Sequence, residues 1–222
     1  MAARRTPVPR LIETEADLEN GIRALRRKCA VARLMHDAAG VPPLRRRAAG
    51  FEGLSRIVVG QQLSVASAAA IWSRTAAAVT PFEAPQLIAT PDETLRGAGL
   101  SVGKVRTLRA LAAAVTGRSL DLEQLSAAPD EAVHEALCSV TGIGPWTADI
   151  YIMFCLGRVD AFAPGDLALQ VALQMAAGLD ARPTAKELAA YAERWRPWRS
   201  VAAHLLWAYY KVRKETVTAV PV

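Results

Sequence analysis

The sequence predicts an all-α fold of about ten short helices. Two observations support this prediction: helix-start patterns recur along the chain, each followed by apolar residues at helical spacing, and alternating strand patterns are nearly absent. Only residues 115–122 resemble a short extended segment. With 222 residues, the chain is long enough for one large domain or for two small lobes that share a core.

Most of the predicted helices have a recognisable start or stop. Residues 14–17 and 184–187 have the capping-box pattern, and residues 90–93 combine that pattern with a proline at the first helical position. Gly117 and Gly178 follow apolar helical runs and are expected to end them. The predicted helices cover residues 14–39, 51–58, 65–79, a segment beginning at 90, 102–115, 129–140, 145–157, 166–177, a segment beginning at 184, and 198–211.

The charge of the chain points towards polyanionic partners. Its formal net charge is +6 and its sequence pI is about 9.6. No apolar run approaches the roughly 20 residues that a membrane-spanning helix needs. The first 18 residues carry charges but no apolar stretch, so we expect no secretory signal and a cytoplasmic protein.

Cysteine and histidine spacing gives no metal-binding pattern. No C-x-x-C pair occurs, so zinc sites and iron–sulfur clusters lack their usual ligands. The three cysteines lie in apolar helical patterns and are expected to be buried as small hydrophobic residues. The three histidines are scattered and are expected to lie at the surface or to be hydrogen-bonded in the core. These residues are Cys29, Cys138 and Cys155, and His36, His134 and His204.

A glycine turn joins two apolar helices at residues 142–144. Glycine permits positive φ and lets another backbone approach closely. Pro145 then begins the second helix, whose first amides have no partner within that helix. Such amides, together with the helix dipole, can bind a phosphate. An ordinary helix–helix turn has the same residues, so the glycines alone leave both interpretations open.

Two adjoining segments resemble a known family. LCSVTGIGPWTADIYIM at 137–153 and VDAFAPGD at 159–166 resemble the hairpin and aspartate loop of the helix-hairpin-helix DNA glycosylase superfamily. The resemblance extends over residues 44–212 and is closest to bacterial alkylpurine (3-methyladenine) DNA glycosylases II. It rests also on PLRRR, GLSRIVVGQQLS, GLSVGKVRTLRALA and WRPWRSVAAHLLWAYY.

The resemblance implies a fold and a function. The fold is one domain over residues 1–222, made of two lobes with the active-site cleft between them. Residues 1–48 pack with the C-terminal helices, residues 49–160 form a central lobe with the hairpin at 137–148, and residues 161–215 form the aspartate loop and C-terminal helices. The implied function is hydrolysis of the N-glycosidic bond of alkylated purines, during base excision repair of double-stranded DNA. The enzyme would act as a monomer on the bacterial nucleoid.

Asp166 is the candidate catalytic residue. By propensity it is a helix N-cap, because it follows Pro164 and Gly165 and precedes an apolar helical run. In the resembled family an aspartate at this position is essential for catalysis. The two roles are compatible, since a cap fixes the carboxylate in place. A carboxylate beside a sugar C1′ can stabilise a positively charged transition state or orient a water.

The resemblance also assigns substrate and DNA contacts. Trp146 and Trp207, with Tyr151 as a weaker candidate, would stack against the damaged base. Trp146 stands where related enzymes that also cut the strand carry a lysine nucleophile, so we expect a monofunctional enzyme. Either Gln62 or Leu63 would fill the gap left by the flipped nucleotide. The predicted DNA contacts are Gln62, Leu63, Ser64, Lys104, Gly142, Ile143, Gly144 and Thr147.

No cofactor is expected, apart from a structural Na⁺ or K⁺. In the family, main-chain carbonyls of the hairpin hold such a cation, here those of Cys138, Val140 and Ile143. The basic runs at 26–28 and 45–47 are expected to be solvated faces, and the second would touch the DNA backbone. Three alternatives stay open: a non-catalytic DNA-binding module, a helical interaction scaffold, and a glycosylase for deaminated or oxidised bases.

Overall fold

A computed structural model describes residues 10–218 of the chain. Within this range there are thirteen α-helices and one 3-10 helix, and the backbone bridge that occurs there joins Leu11 to Arg158. The prediction of an all-α fold is confirmed. The helices are α1 (Glu15–Lys28), α2 (Ala30–Ala39), α3 (Gly50–Gly60), α4 (Val65–Ala78), α5 (Ala84–Ala89), α6 (Asp92–Gly97), α7 (Val102–Thr116), α8 (Leu122–Ser126), α9 (Asp130–Cys138), α10 (Pro145–Phe154), α11 (Leu167–Ala177), α12 (Ala185–Ala192), the 3-10 helix Glu193–Trp195, and α13 (Arg199–Thr218).

Helices begin and end as expected where the sequence has a capping box or a glycine stop. Capping boxes are formed by Thr14 with Asp17 at the start of α1, and by Thr184 with Glu187 at the start of α12. The helix α11 ends at Gly178, whose φ of 64° is in the left-handed region that favours glycine. These contacts satisfy amides and carbonyls that the helix itself leaves unpaired.

Four local predictions are wrong. Cys29 has extended backbone, so the helix expected over 14–39 is two helices, and α2 packs against α13. Thr90 ends α5, where its hydroxyl donates to the carbonyl of Gln86, so it does not cap α6. Residues 115–122 are the end of α7, a turn and the start of α8, rather than an extended segment. The last helix, predicted to end at residue 211, continues to Thr218. A frayed tail is also expected from the sequence over residues 216–222; residues 216–218 are helical instead, and residues 219–222 lie outside the described range.

The chain divides into two compact units. The first, which we call the terminal unit, contains the described residues 10–46 and 157–218. Its long helix α13 packs against α1, α2 and α11. Its two chain segments are joined where the amide of Ile12 donates to the carbonyl of Gly157, 2.8 Å away. The core of this unit includes Leu18, Leu25, Met35, Trp195, Leu205 and Leu206, all fully buried.

The second unit, which we call the central unit, contains residues 47–156. Its helix α3 contacts α4, α7, α8 and α10, and buries Leu54, Ile57 and Val58. Helices α9 and α10 pack against each other and form the two arms of the predicted hairpin. The central unit therefore carries the hairpin, and the terminal unit carries the aspartate loop.

The side chains of the cysteines and histidines differ in burial. Cys155 is buried as expected, whereas Cys29 and Cys138 are partly exposed, so their predicted burial is wrong; all three are free thiols. His204 is buried, and its Nδ1 lies 2.8 Å from the carbonyl oxygen of Ser200, to which it donates. Among residues 10–218, no helix is long and apolar enough to cross a membrane.

Candidate active site

Asp166 caps α11 at the end of the loop that the sequence singled out. Its backbone amide donates to the carbonyl of Ala163, and its Oδ1 accepts the amide of Leu169 at 3.1 Å. Gln170 fixes the same loop, because its Nε2 donates to the carbonyl of Pro164 at 3.0 Å. The predicted N-cap is confirmed. The Asp166 residue remains partly exposed, so solvent reaches this end of the helix.

Trp207 shares the carboxylate of Asp166. Its indole Nε1 donates to the Asp166 Oδ1 at 3.2 Å, which joins α13 to the start of α11. Trp207 is also partly exposed. The ring of His204, one turn earlier on α13, meets the Trp207 ring edge to face, with centroids 6.4 Å apart. The structure therefore brings together two residues from the predicted site, the candidate catalytic aspartate and one candidate stacking tryptophan.

A positive charge lies beside this pair. The guanidinium carbon of Arg45 is 5.7 Å from the centre of the Trp207 ring. Desolvation lowers the pKa of Arg45, and the negative charge of Asp166 partly opposes this shift. Burial lowers the pKa of His204 from 6.5 to about 4. The Arg45 charge also lowers this pKa, whereas the hydrogen bond to Ser200 raises it. His204 is therefore neutral near pH 7, while Arg45 is charged.

The hairpin of the central unit has the geometry that two glycines allow. Gly142 has a φ of 87°, and a Cβ at this position would lie 1.8 Å from the Thr107 Oγ1. The amide of Ile143 donates to the carbonyl of Val140 at 3.0 Å, which closes the turn. Gly144 is the N-cap of α10, and a Cβ there would meet no atom within 4 Å. The first glycine thus provides close packing, and the second lies beside open space.

Gln61 links the hairpin to the turn that follows α3. Its side-chain amide donates to the hydroxyl of Thr147 at 2.8 Å and to the carbonyl of Gly142 at 3.4 Å. The ammonium of Lys104, near the start of α7, donates to the carbonyl of Val59 at 2.7 Å. The central unit therefore holds the hairpin, the turn at 61–64 and the start of α7 together.

The predicted DNA contacts all lie on these three segments. Gln62 has a φ of 57° and is exposed, Leu63 is 38% exposed, and Ser64 caps α4 by accepting the amide of Ser67. Ile143 and Thr147 are buried, and their amides donate to the carbonyls of Val140 and Gly144. The structure thus gathers these residues in one unit, and their contact with DNA stays a prediction.

The aromatic residues of the predicted pocket differ in how far they are exposed. Trp146, the second residue of α10, is partly exposed. Tyr151 is completely buried, and its hydroxyl accepts the amide of Gly50 at 2.9 Å. Burial raises the pKa of Tyr151 to about 12. In this structure Tyr151 therefore has a partner at the start of α3, and Trp146 and Trp207 present the more accessible rings.

Two residues, Gln61 and Thr107, were not assigned a role from the sequence, and a third, Arg45, has a contact that the sequence did not predict. Gln61 lies in the polar pair that interrupts an apolar helix, a signal that was visible but was attributed to Gln62. Arg45 was expected on a solvated face that touches the DNA backbone. It is exposed as expected, but its position over the Trp207 ring was not predicted. Thr107 had no local signal, since its role comes only from its packing against Gly142.

The donor set of the hairpin fits a hard cation. Cys138 is the last residue of α9, and carbonyls at a helix C-terminus lack partners within the helix and lie at the negative end of its dipole. The Val140 oxygen accepts one amide and keeps a second lone pair. Side chains offer no comparable site in residues 10–218, where no group of three or more His, Cys, Asp or Glu could hold a metal ion.

The fold and the hairpin define a class of protein. A family model described as HhH-GPD superfamily base excision DNA repair protein matches residues 55–197, which include the hairpin and Asp166. The chain belongs to this superfamily, as the resemblance predicted.

Individual relatives agree with this class. The chain is 30% identical over 170 residues to DNA-3-methyladenine glycosylase 1 of Schizosaccharomyces pombe, with 75% of each chain covered. It resembles a solved S. pombe 3-methyladenine DNA glycosylase in complex with abasic DNA, at a TM-score of 0.79 and 25% identity, over 85% of this chain and 95% of that one. A DNA-3-methyladenine glycosidase structure from Bacillus halodurans gives a TM-score of 0.74 and 31% identity, over 93% and 94%.

The two hairpin glycines should respond differently to alanine. Gly142→Ala should lower the free energy of unfolding by roughly 2 kcal/mol or more, because it combines positive φ with a collision against Thr107. Gly144→Ala is the matched control and should change it by less than about 0.5 kcal/mol. Urea unfolding followed by tryptophan fluorescence measures both. Equal effects would contradict this account of the turn.

His204 should make the fold sensitive to acid. Its folded-state pKa of about 4 lies below its unfolded value, so the unfolded chain binds more protons and stability falls as pH decreases between the two values. Between about pH 7 and about pH 4.5, this residue should remove roughly 2 kcal/mol of stability. His204→Met should lose less stability than the parent chain over this interval, measured by urea unfolding at both pH values. The same loss in both proteins would exclude the mechanism.

Proposed function

We propose that this chain is a monofunctional DNA glycosylase that hydrolyses the N-glycosidic bond of alkylated purines in double-stranded DNA. The observation that carries the proposal is the partly exposed carboxylate of Asp166, held by the Leu169 amide and the Trp207 indole. The names of the relatives support the substrate class. This substrate implies that the enzyme acts in the cytoplasm on the nucleoid, and a monomer suffices for it.

The proposed reaction needs one negative charge beside the sugar. When the bond between C1′ and the base nitrogen breaks, its electron pair leaves with the base and the sugar becomes positive. The carboxylate of Asp166 stabilises that charge. A water then adds its oxygen to C1′ and releases a proton, so the products are a free base and an abasic site. The hydrogen bonds from Leu169 and Trp207 fix the carboxylate before the substrate arrives.

Base recognition is assigned to aromatic rings. A base must leave the duplex stack before its glycosidic bond can be attacked, and a flipped base is stabilised by stacking on aromatic side chains. Trp207 is the first candidate, because its indole already contacts the catalytic carboxylate. Trp146 is the second. Tyr151, with its ring fully buried and its hydroxyl bonded to Gly50, is assigned to holding the start of α3.

The central unit is assigned to the DNA backbone. The amides at the start of α10 can donate to a phosphate beside Gly144, where a Cβ would meet open space. Ser64, Lys104, Ile143 and Thr147 belong to the same set of segments, and the exposed Gln62 or Leu63 fills the gap left by the flipped nucleotide. The carbonyls of Cys138, Val140 and Ile143 would hold a monovalent cation, whose charge would stiffen the turn and attract phosphate.

Replacing the carboxylate should abolish base release without unfolding the protein. Asparagine is as good an N-cap as aspartate, so Asp166→Asn keeps the start of α11. It should lower the single-turnover rate on methylated duplex DNA by at least about 100-fold, because the developing positive charge loses its counter-charge. Chromatography of the freed bases measures the rate. Base release as fast as in the parent chain would exclude Asp166 as the catalytic residue.

A second test asks whether the enzyme cuts the strand. Trp146 stands where a lysine nucleophile would be, and the Lys104 ammonium is bonded to the Val59 carbonyl, so no Schiff base should form. Incubation with damaged duplex DNA and borohydride should therefore yield no covalent adduct, while alkali should still cleave the abasic product. A trapped adduct would contradict the assignment, and Lys104→Met would then show whether that amine forms it.

A further inference from the structure

Arg45 occupies a position that its sequence context does not suggest. It belongs to a run of three arginines, yet its guanidinium carbon lies 5.7 Å from the ring centre of Trp207. That ring bonds the carboxylate of Asp166 through its Nε1. Both partners are the residues to which the proposed function assigns base stacking and bond cleavage. A positive charge therefore lies beside the reacting groups, within the same unit of the fold.

The surroundings preserve the effect of this charge. Arg45 is exposed, but its guanidinium lies against the Trp207 ring, and desolvation lowers the pKa of the guanidinium. Water therefore screens this charge less than it screens a charge in bulk solvent. The ring of His204 also packs against Trp207 and is neutral near pH 7, since burial lowers its pKa to about 4. Near neutral pH, the charges that act on each other here are therefore the Arg45 guanidinium and the Asp166 carboxylate.

The charge of the base changes in opposite ways for two kinds of damaged purine. A neutral nucleotide, such as one carrying hypoxanthine, becomes more negative on the base as the electron pair of the breaking bond moves onto it. A nearby guanidinium stabilises that change. A purine with a fixed positive charge, such as 7-methylguanine, is repelled by the guanidinium from the moment it enters, and bond breaking only neutralises it. The same arginine therefore favours one substrate class and disfavours the other.

We propose that Arg45 is a specificity-determining residue, which favours damaged purines that are neutral in DNA over purines that carry a fixed positive charge. Arg45 acts on the base electrostatically, because its guanidinium lies next to the Trp207 ring on which the base would stack. The inference rests on the proposed function, because it needs a base stacked at Trp207 with its C1′ facing Asp166.

The test is a competition between two lesions in one reaction. Duplexes of equal sequence carry 7-methylguanine or hypoxanthine, and the two freed bases are quantified together, which gives the ratio of their kcat/KM values directly. Arg45→Met and Arg45→Gln should each shift this ratio towards 7-methylguanine by about fivefold, the size expected for a partly screened charge pair. Arg45→Lys keeps the charge and should leave the ratio within about twofold of the parent value. Added salt should shrink the difference between parent and variant.

A matched control removes an equal charge elsewhere. Arg27 is exposed on α1 of the same unit, outside the segments assigned to DNA, and Arg27→Met should leave the ratio within about twofold of the parent value. Circular dichroism confirms that each variant is folded. If both bases are released and neither neutral variant moves the ratio, the inference about Arg45 is wrong while the proposed function stands. If the parent chain releases no base from either duplex, the proposed function fails and the inference fails with it.

Discussion

One oxygen atom connects the two helices on which the candidate chemistry depends. The Oδ1 of Asp166 accepts the amide of Leu169, in the first turn of α11, and the indole hydrogen of Trp207 on α13. A carboxylate at a helix N-terminus is favoured by the orphan amides and by the helix dipole, so this position is stable for reasons unrelated to catalysis. The same contacts leave the residue partly exposed. A structural requirement of the helix therefore supplies a preorganised negative charge.

In the central unit, too, a single side chain connects separate elements. One side chain, Gln61, spans two elements by donating to Thr147 on α10 and to the turn at Gly142. Because Gly142 has no Cβ, the turn packs against Thr107 of α7. The three segments proposed to bind the DNA backbone are thus fixed relative to each other before any ligand is present. A preformed surface of this kind binds without the entropic penalty of ordering loops.

The sequence predicted the parts of the fold that local chemistry determines. Capping boxes at Thr14 and Thr184, and the cap at Asp166, depend on residues within one helical turn, and all three are present. The break at Cys29 was missed because apolar residues continue there at helical spacing. Beyond the break, α2 packs against α13, a contact with a distant part of the chain that local spacing does not reveal. Thr90 was expected to begin a helix because a proline follows it. It ends α5 instead, and this short helix was not expected.

The same division holds within the candidate site. Asp166, Trp207 and the hairpin glycines could be found because their residue types and spacing are distinctive. Arg45 and Thr107 could not, since their importance depends on contacts with residues far away in the chain. No pattern within the run at 45–47 distinguishes the arginine that lies over Trp207 from its neighbours.

The order of the units along the chain has a consequence for synthesis. Of the two units, the central unit is the first to be completely synthesised, so it can fold while the polypeptide is still growing. Helices α1 and α2 are made earlier still, but they pack against α13, which emerges last. The surfaces of α1 and α2 that pack against α13 therefore stay uncovered until α13 is made. A chain interrupted before α13 would retain the segments proposed to bind DNA while lacking Trp207, the indole donor to the carboxylate.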